Sequence, residues 1–320
     1  MKILAVQNRM GIGDTVMFLP YFKAISKKFN ISINILVREN SKVDQFLFNE
    51  NYIDKIYILD RNKHSSGRHD GIIGAINLTR ELKQKNFDMI FIFNSSLRFN
   101  LIAKFAGIKQ IYQYPLFKKK NQHITNAPKK FIKDTINIHD IDDPKIEISN
   151  DLALKAISNF NILKQKSNIL LGTGGSGPTK RIPAKIFINF MKKINKIKDC
   201  RFFIATGKNK DEKKILDEIV DSELGYLCTP LDNLKIKDIL PVIKNCNAAV
   251  CNDTSFSHLS AALGINTITL MADTPLIYGS YSSKMHPIIP DGEIDVTHGT
   301  MGKDKINPDK IFEKLIKIIN

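Results

Sequence analysis

The sequence predicts an α/β protein made of two doubly wound domains with a cleft between them. The chain has 320 residues, about twice the length of an average domain. Short β-type runs alternate with amphipathic helical patterns, which is typical of parallel sheets built from βαβ units. This alternation lapses once, in the acidic, proline-containing stretch of residues 134–150, and then resumes. Both halves are therefore predicted to be Rossmann-like.

The first half provides the elements of the first sheet. The run KILAVQ at residues 2–7 is short and apolar, as a buried parallel strand should be. A helical pattern lies at residues 14–29, and further strand-like runs lie at residues 33–37, 55–59 and 89–93. Residues 1–164 are predicted to form the first domain.

The second half, residues 165–320, repeats this order and is predicted to form the second domain. Its last segment, residues 307–320, has the pattern of an amphipathic helix with Pro308 in the opening turn, and this helix is expected to pack back on the first domain. Ligands are expected in the cleft, at the carboxyl ends of the strands. The predicted strands are residues 168–172, 201–206, 225–228, 248–251 and 267–271, and the predicted helices are residues 184–197, 210–222, 235–245 and 255–263.

The composition indicates a folded protein with a basic surface. Apolar residues make up 43% of the chain and charged residues 25%, which excludes a disordered chain or a coiled coil. Lys and Arg number 48 against 32 Asp and Glu, and the formal net charge is +16. This excess favours an anionic partner, although codon bias toward Lys, Ile and Asn would explain it equally well.

The cysteines and the amino terminus indicate the compartment. Cys200, Cys228, Cys246 and Cys251 contain no CxxC pair, which argues against a disulfide framework or a zinc site. The opening MKILAV is interrupted at Gln7, too early for a signal peptide. No apolar run approaches the roughly 18 residues of a transmembrane helix. A cytoplasmic location is expected.

The first candidate site follows the first strand, in NRMGIGDTVMFLP at residues 8–20. Gly11 and Gly13 permit a tight turn, and Asp14 stands where the next helix should begin. In one interpretation Asp14 only caps that helix. In the other, its carboxylate points toward a ligand at the carboxyl end of the strand and acts as a general base.

The second candidate site is NILLGTGGSGPTKRIP at residues 168–183, a strand followed by a loop that ends in Lys180 and Arg181. Such a loop offers backbone amides, hydroxyls and cations to phosphate. Its glycines also spell GxGxxG, the pattern of nicotinamide-binding domains. However, Pro178 follows at once, the helix is delayed past Pro183, and no acid ends the next strand. A P-loop is excluded because GxxxxGK[ST] is absent.

The third candidate site is AAVCNDTSFSHLSAALG at residues 248–264, a strand, a polar turn and a helix that carries His258. Amides at a helix N-terminus bind anions, and Asp253 can accept hydrogen bonds from sugar hydroxyls. The alternative is an ordinary capping turn with a structural histidine.

These three regions, together with the TPLIYG that follows, resemble the three signature regions of glycosyltransferase family 9, the ADP-heptose lipopolysaccharide heptosyltransferases. Their order and spacing agree over nearly the whole chain. The resemblance implies a GT-B fold and an inverting, metal-independent transfer of heptose or a related sugar from an ADP-sugar to a lipopolysaccharide inner-core acceptor. It also implies an acceptor-binding first domain, a nucleotide-sugar-binding second domain and no cofactor.

The resemblance assigns roles to individual residues. Asp14 matches the aspartate taken to be the base, and Lys180 matches the lysine that holds the donor phosphates; these are the expected catalytic residues. Ser255 replaces the usual glycine of the D[ST]G turn, which leaves the exact sugar open. The residues expected to bind the donor are Gly13, Thr173, Gly174, Arg181, Glu212, Asp253, Thr254, Ser255 and His258.

The basic and aromatic segment at residues 112–134 is the candidate acceptor contact. Lys118, Lys119 and Lys120 are expected to meet the phosphates of an anionic lipopolysaccharide precursor, with peripheral contact at the cytoplasmic face of the inner membrane. The alternative is a solvated loop.

Metal and nucleic-acid partners are not expected. Asp140 and Asp142 form a DxD, but their place beside Asp143 and Pro144 favours an interdomain turn over a metal site. No nucleic-acid-binding module is recognised. Two other function classes stay open, a non-catalytic nucleotide-binding protein and a nicotinamide-dependent oxidoreductase.

Overall fold

The computed structural model describes residues 1–48, 50–61, 67–116 and 124–319. The chain divides into two compact units, Met1–Pro144 and Lys145–Asn320. Each unit contains a parallel sheet covered by helices, so the predicted fold class is confirmed. In this part of the chain, no helix combines the length and the apolar character needed to cross a bilayer.

The sheet of the first unit has the strand order β3-β2-β1-β4-β5, and neighbouring strands are parallel. Its chain order reverses at β1, so its ligand edge is at the carboxyl ends of β1 and β4. The strands are β1 (Ile3–Val6), β2 (Ile33–Arg38), β3 (Ile53–Leu59), β4 (Met89–Ile92) and β5 (Gln110–Gln113), and the helices are α1 (Ile12–Phe29), α2 (Gly71–Lys85), α3 (Leu97–Phe105) and α4 (Asn126–Ile136).

The two faces of this sheet are covered by different pairs of helices. Leu4 and Val6 pack in one apolar core with residues of α2 and α3. Because side chains alternate along a strand, the residues between them point to the opposite face, where α1 contacts α4. There Phe93 makes edge-to-face contacts with Phe18 and Phe131 at centroid distances of 5.3 Å.

The sheet of the second unit has the order β11-β10-β9-β6-β7-β8 and is also parallel. Its chain order reverses between β6 and β9. The strands are β6 (Ser167–Gly172), β7 (Cys200–Ala205), β8 (Cys228–Pro230), β9 (Ala248–Asn252), β10 (Thr267–Leu270) and β11 (Met285–Ile288), and the helices are α5 (Asn150–Asn159), α6 (Ala184–Asn195), α7 (Lys210–Val220), α8 (Ile236–Lys244), α9 (Ser255–Ala262) and α10 (Pro308–Ile319).

The boundary between the units lies at Pro144 and not between residues 164 and 165, where the sequence analysis placed it. The intervening segment belongs to the second unit because it bonds to the end of α9 and to α8. The Ile146 amide donates to the Ala262 carbonyl at 2.9 Å, and the Asn245 side chain donates to the Ala153 carbonyl at 2.9 Å.

The final helix also differs from its prediction. It packs on α6 and on the sheet of its own unit, where Ile311 and Leu315 are fully buried in the core. Lys314 Nζ donates to the Pro287 carbonyl at 2.9 Å. An amphipathic pattern predicts a buried face, but it does not say which sheet covers that face.

Three strands also depart from the predicted pattern. The predicted strand at residues 225–228 begins only at Cys228, after a short 3-10 turn. The edge strands β5 and β11 were not predicted. Short edge strands carry little periodicity, so the pattern of apolar residues does not reveal them.

Candidate active site

Asp14 lies in the first turn of α1, at the carboxyl edge of the first sheet. The helix begins at Ile12, and Gly11 with a φ of 106° is its N-cap, so capping does not explain Asp14. A left-handed φ of this size strains any residue with a Cβ. Asp14 Oδ1 accepts from Arg9 Nε at 3.1 Å, and the two side chains are 20% and 35% exposed. The carboxylate is thus held by a cation and remains open to solvent.

A small cavity of about 40 Å³ lies on the Arg9 side of this pair. Asn8, Arg9 and Asn94 line it together with the buried ring of Tyr114. Burial raises the pKa of Tyr114 far above its ordinary value, so its hydroxyl stays protonated. The site of the first unit therefore combines one carboxylate, one guanidinium and neutral polar groups.

The glycine loop of the second unit follows β6 and is tied to its neighbours. Asn252, at the end of β9, donates from its side chain to the Thr173 and Gly174 carbonyls at 2.8 and 3.0 Å. The Thr173 amide donates to Ala205 at 3.0 Å, and the Thr173 side chain is fully buried. The backbone of Thr173 is therefore engaged within the protein, and contact between its side chain and a donor stays a prediction.

Glu212 fastens the same loop from the start of α7. Its buried carboxylate accepts from the Gly175 amide at 2.7 Å and from the side chain of Asn209. A Cβ on Gly207 would lie 2.1 Å from Glu212 Oε2, and one on Gly174 would lie 2.8 Å from Oε1. Both glycines make room for this carboxylate, whose two oxygens are occupied by protein donors.

Arg181 supports the loop from the other side. Its Nε donates to the Gly175 carbonyl at 3.0 Å, and its Nη1 contacts Asp211 Oδ2 at 2.6 Å. The Arg181 side chain is only 13% exposed. These contacts are those of a residue that positions the loop.

Lys180 reaches across the carboxyl edge of the second sheet to Asp253. Its Nζ donates to Asp253 Oδ2 at 2.8 Å, and the two side chains are 22% and 7% exposed. Burial alone would raise the pKa of Asp253, but the charge of Lys180, with a further contribution from His258, holds it below the ordinary value. The pair places a cation at the switch point between β6 and β9.

The buried side chain of His258 and the partly buried side chain of Tyr281 extend this pair. His258 Nε2 lies 3.8 Å from Asp253 Oδ1, and Nδ1 lies 2.8 Å from the Tyr281 hydroxyl. The two rings are stacked at 5.6 Å. Burial lowers the pKa of His258 despite the opposing effect of Asp253, so this imidazole is neutral at pH 7.

The start of α9 lies beside Asp253. Thr254 is its N-cap, and its Oγ1 accepts from the Phe256 amide at 3.2 Å. Ser255 is the first helical residue and is partly exposed. A partly exposed serine at a helix N-terminus can donate hydrogen bonds to an anion from both its hydroxyl and its backbone amide.

Parts of the predicted acceptor segment at residues 112–134 lie in β5 and α4. Lys118, Lys119 and Lys120 lie outside the described residues. Residues 126–136 form α4, and Tyr114 and Phe131 are 5% and 6% exposed within the aromatic core. Phe131 stands among lysines because one face of α4 is buried, and the Tyr114 ring packs against it at 5.1 Å. These two rings therefore do not form an exposed apolar surface.

The family model of glycosyltransferase family 9 (heptosyltransferase) matches residues 75–289. The chain belongs to glycosyltransferase family 9. The matched range covers the glycine loop, Lys180, Asp253 and His258, whereas Asp14 precedes it. The chain is therefore a glycosyltransferase.

Curated relatives agree with this family. The chain is 28% identical over 276 residues to lipooligosaccharide heptosyltransferase 2 of Campylobacter jejuni, covering 82% of this chain and 78% of that protein. It is 21% identical over 322 residues to lipopolysaccharide heptosyltransferase 1 of Campylobacter coli, covering 92% and 90%.

Solved structures show the same fold. The family 9 glycosyltransferase of Veillonella parvula superposes with a TM-score of 0.79 at 16% identity, covering 99% of this chain and 97% of that one. ADP-heptose lipopolysaccharide heptosyltransferase II of E. coli gives 0.74 at 17% identity, covering 100% and 98%. This family 9 enzyme therefore has the GT-B fold.

Most residues singled out in the second unit of this family 9 enzyme lie close together, along the carboxyl edge of its sheet. Gly13 belongs to the first unit, where it lies in the first turn of α1. Sequence reasoning missed Arg9, Asn252 and Tyr281. Arg9 lies two residues before Gly11, so its charge was visible beside the Asp14 motif. Tyr281 is 23 residues away from His258 along the chain, and no sequence pattern links the two.

Proposed function

We propose that this enzyme transfers a heptose from ADP-heptose to a lipopolysaccharide inner-core acceptor, with inversion at the anomeric carbon and without a metal ion. Family membership and the names of the Campylobacter relatives support the sugar and the acceptor class. The observation that most directly supports a donor site in the second unit is the position of Lys180. It lies beside the start of α9 and the glycine loop, at the switch point of the second sheet.

Lys180 and α9 would stabilise the departing diphosphate. Cleavage of the bond between the anomeric carbon and the diphosphate oxygen leaves its electron pair on ADP. A lysine ammonium and the amides at a helix N-terminus favour this negative charge. The contacts of Asn252, Glu212 and Arg181 fix the loop beforehand, so little reorganisation is needed when the charge develops.

Asp14 would act as the base. The acceptor hydroxyl forms the new bond to the anomeric carbon, and its proton passes to the Asp14 carboxylate. Attack on the face opposite the diphosphate inverts that carbon. The partial exposure of Asp14 supports this role, since a general base must be reachable by the hydroxyl it deprotonates.

The first unit would bind the acceptor, and the second would bind the nucleotide sugar. The basic excess of the chain supports an anionic acceptor, and Lys118, Lys119 and Lys120 remain its predicted contacts. A cytoplasmic location with contact at the membrane surface follows from the same proposal.

A donor screen tests this function. Purified enzyme is mixed with a lipopolysaccharide inner-core acceptor and with ADP-heptose, a UDP-sugar or a GDP-sugar, and release of the nucleoside diphosphate is measured. Preferential release of ADP, dependent on acceptor, is expected. Preference for a UDP- or GDP-sugar would contradict the ADP-sugar donor.

Two further measurements test the mechanism. NMR of the product should show the opposite anomeric configuration from the donor. Activity should persist in EDTA, and a loss that Mg²⁺ or Mn²⁺ restores would contradict metal independence.

Binding of NAD in place of ADP would favour the oxidoreductase alternative. The structure of the loop argues against that alternative, because α6 begins at Ala184 and not directly after the glycines. Tight binding of ADP-heptose without turnover would favour the non-catalytic nucleotide-binding alternative.

A further inference from the structure

The helices α2 and α3 present large apolar side chains to solvent. Ile72, Ile73 and Phe105 are 82%, 74% and 72% exposed. Exposed apolar residues scattered singly are ordinary, but a contiguous group of them marks an interaction surface. We call this group the α2–α3 face; it consists of Ile72, Ile73, Ile76, Leu97, Leu101 and Phe105.

The face is continuous because of how the two helices sit on the sheet. Gly74, Leu78 and Leu82 form the buried side of α2, so the isoleucines in its first two turns lie on the side away from the sheet. On α3, Leu97, Leu101 and Phe105 repeat at intervals of four residues and lie on one side of the helix. The two helices contact each other along the same face of the sheet.

The charges around this face are predominantly positive. Arg80 and Lys83 continue the exposed side of α2, and Lys104 lies between the apolar residues of α3. The acidic residue of these two helices is Glu81, and it is paired with Arg68 and His69. The whole first unit carries 23 Lys and Arg against 13 Asp and Glu.

The face also begins at the ligand edge of the first unit. The amino-terminal ends of α2 and α3 follow the carboxyl ends of β3 and β4, the edge at which Asp14 lies. Arg98 of α3 ties the two ends together, because its guanidinium donates to the carbonyls of His69 and Gly71 at 2.7 and 2.5 Å. Whatever covers the apolar residues therefore lies on the acceptor side of this unit.

We infer that the α2–α3 face docks on the surface of an anionic phospholipid bilayer. Apolar side chains enter the boundary between headgroups and acyl chains, while flanking Lys and Arg pair with anionic headgroups. A second copy of the chain fits less well, since it would bring the same positive charges against these. The inference rests on the proposed function, which makes the acceptor a membrane lipid.

Vesicle binding measures this docking without any sugar transfer. The full chain is sedimented with vesicles of phosphatidylcholine alone or with roughly one third phosphatidylglycerol, and binding to the anionic vesicles is expected to be stronger. The triple variant Ile72→Ser, Ile73→Ser, Phe105→Ser should lower the partition coefficient about tenfold or more, because it removes the inserted side chains. All three positions are exposed, so the variant should fold.

Two further variants separate the contributions. Arg80→Gln with Lys104→Gln should weaken binding to anionic vesicles about fivefold per lost charge and leave binding to neutral vesicles unchanged. The matched control is Leu154→Ser, Ile197→Ser, Ile294→Ser, three exposed apolar positions of the second unit, and it should bind like wild type.

The outcomes decide the inference separately from the proposed function. The inference would be overturned if the apolar triple variant binds anionic vesicles as strongly as wild type does. It would also be overturned if wild type does not bind them. A third result would also overturn it: wild type does not bind vesicles and is a dimer in sedimentation velocity, and the triple variant is a monomer. The face would then join two copies of the chain. Loss of vesicle binding in the variant supports the inference even if no heptose transfer is found. With a delipidated acceptor, variant and wild type should be equally active.

Discussion

The candidate sites of the two units are built in different ways. In the first unit, Asp14 is held by Arg9 at the surface, and both side chains are partly exposed. In the second, Lys180, Asp253, His258 and Tyr281 form a connected series whose middle members are 7% and 6% exposed. The difference indicates different tasks: a proton acceptor has to be reached by its substrate, whereas a site for a fixed anionic group gains from rigidity.

Replacing Asp14 should have the largest effect on turnover. Asp14→Asn keeps the size of the side chain and removes the base, so kcat should fall on the order of 10²–10⁴-fold while thermal stability stays near wild type. Single-turnover measurements with the acceptor in excess test this prediction. Asp44→Asn, at an exposed acid of the same unit, is the matched control. If Asp14→Asn keeps half of the wild-type rate, the first site does not contain the base.

Replacing Lys180 should weaken nucleotide binding. Lys180→Ala removes a charge-assisted contact to phosphate, and we expect a loss of about 1.5–3 kcal/mol in ADP affinity by calorimetry. The variant also leaves Asp253 buried without its cation, which by itself destabilises the unit. The double variant Lys180→Ala, Asp253→Asn removes that second effect.

The control for Lys180 is Lys185→Ala, an exposed lysine at the start of α6, which should leave ADP affinity unchanged. If the double variant binds ADP as tightly as wild type, then Lys180 only neutralises Asp253.

Replacing Glu212 tests the rigidity of the second site. In Glu212→Gln, one carboxylate oxygen becomes an amide donor that faces the Asn209 side chain, itself a donor at this contact. Loss of this bond in a buried position should lower the free energy of unfolding by about 1–3 kcal/mol. Urea denaturation measures it. Glu218→Gln, on the exposed side of the same helix, should be neutral, and equal effects of the two changes would contradict the role of Glu212 in fastening the loop.

The smallest expected effect is a pH dependence of stability. The pKa of His258 is lowered in the folded protein. Below about pH 6.5, this histidine therefore takes up a proton more readily in the unfolded chain than in the folded one. The free energy of unfolding should therefore fall as the pH decreases from 7 to 5, with a slope of at most about 1.4 kcal/mol per pH unit for this group. The contribution of Asp253 begins only near about pH 4.

His258→Asn should flatten the pH dependence in urea denaturation. Burial also lowers the pKa of His286, so His286→Asn is the matched comparison for a separate titrating group. An unchanged slope in His258→Asn would show that His258 is not buried in its neutral form.

Local patterns in the sequence predicted much of this architecture. Runs such as KILAVQ are apolar because both faces of a parallel sheet are covered, and the three motifs mark strand ends because ligands bind there. One feature of the sequence indicated that Lys180 lies close to Asp253: the motifs that contain them follow two strands of the same predicted sheet.

Contacts between distant parts of the chain were not predictable in this way. The hydrogen bond between Ile146 and Ala262 joins the segment after Pro144 to the second unit, so the boundary lies twenty residues before the predicted one. No local pattern in the sequence reveals this bond. The rings of Tyr114 and Phe131 looked like a surface feature because lysines surround them, but α4 turns Phe131 inward and Tyr114, directly after β5, packs against that ring. Ile72, Ile73 and Ile76 of α2 are exposed, and apolar composition alone does not predict which face of a helix is left uncovered.

The ion pair between Lys180 and Asp253 has a consequence for product release. If Lys180 holds the diphosphate as proposed, then the nucleotide must compete with a carboxylate 2.8 Å away for the same ammonium. Asp253 lowers the net affinity for the nucleotide, and it also offers the lysine a partner as the diphosphate leaves. The cation is never left buried and unpaired, so departure of ADP does not carry the desolvation penalty of an isolated charge. A carboxylate that opposes binding would in this way speed the last step of each turnover.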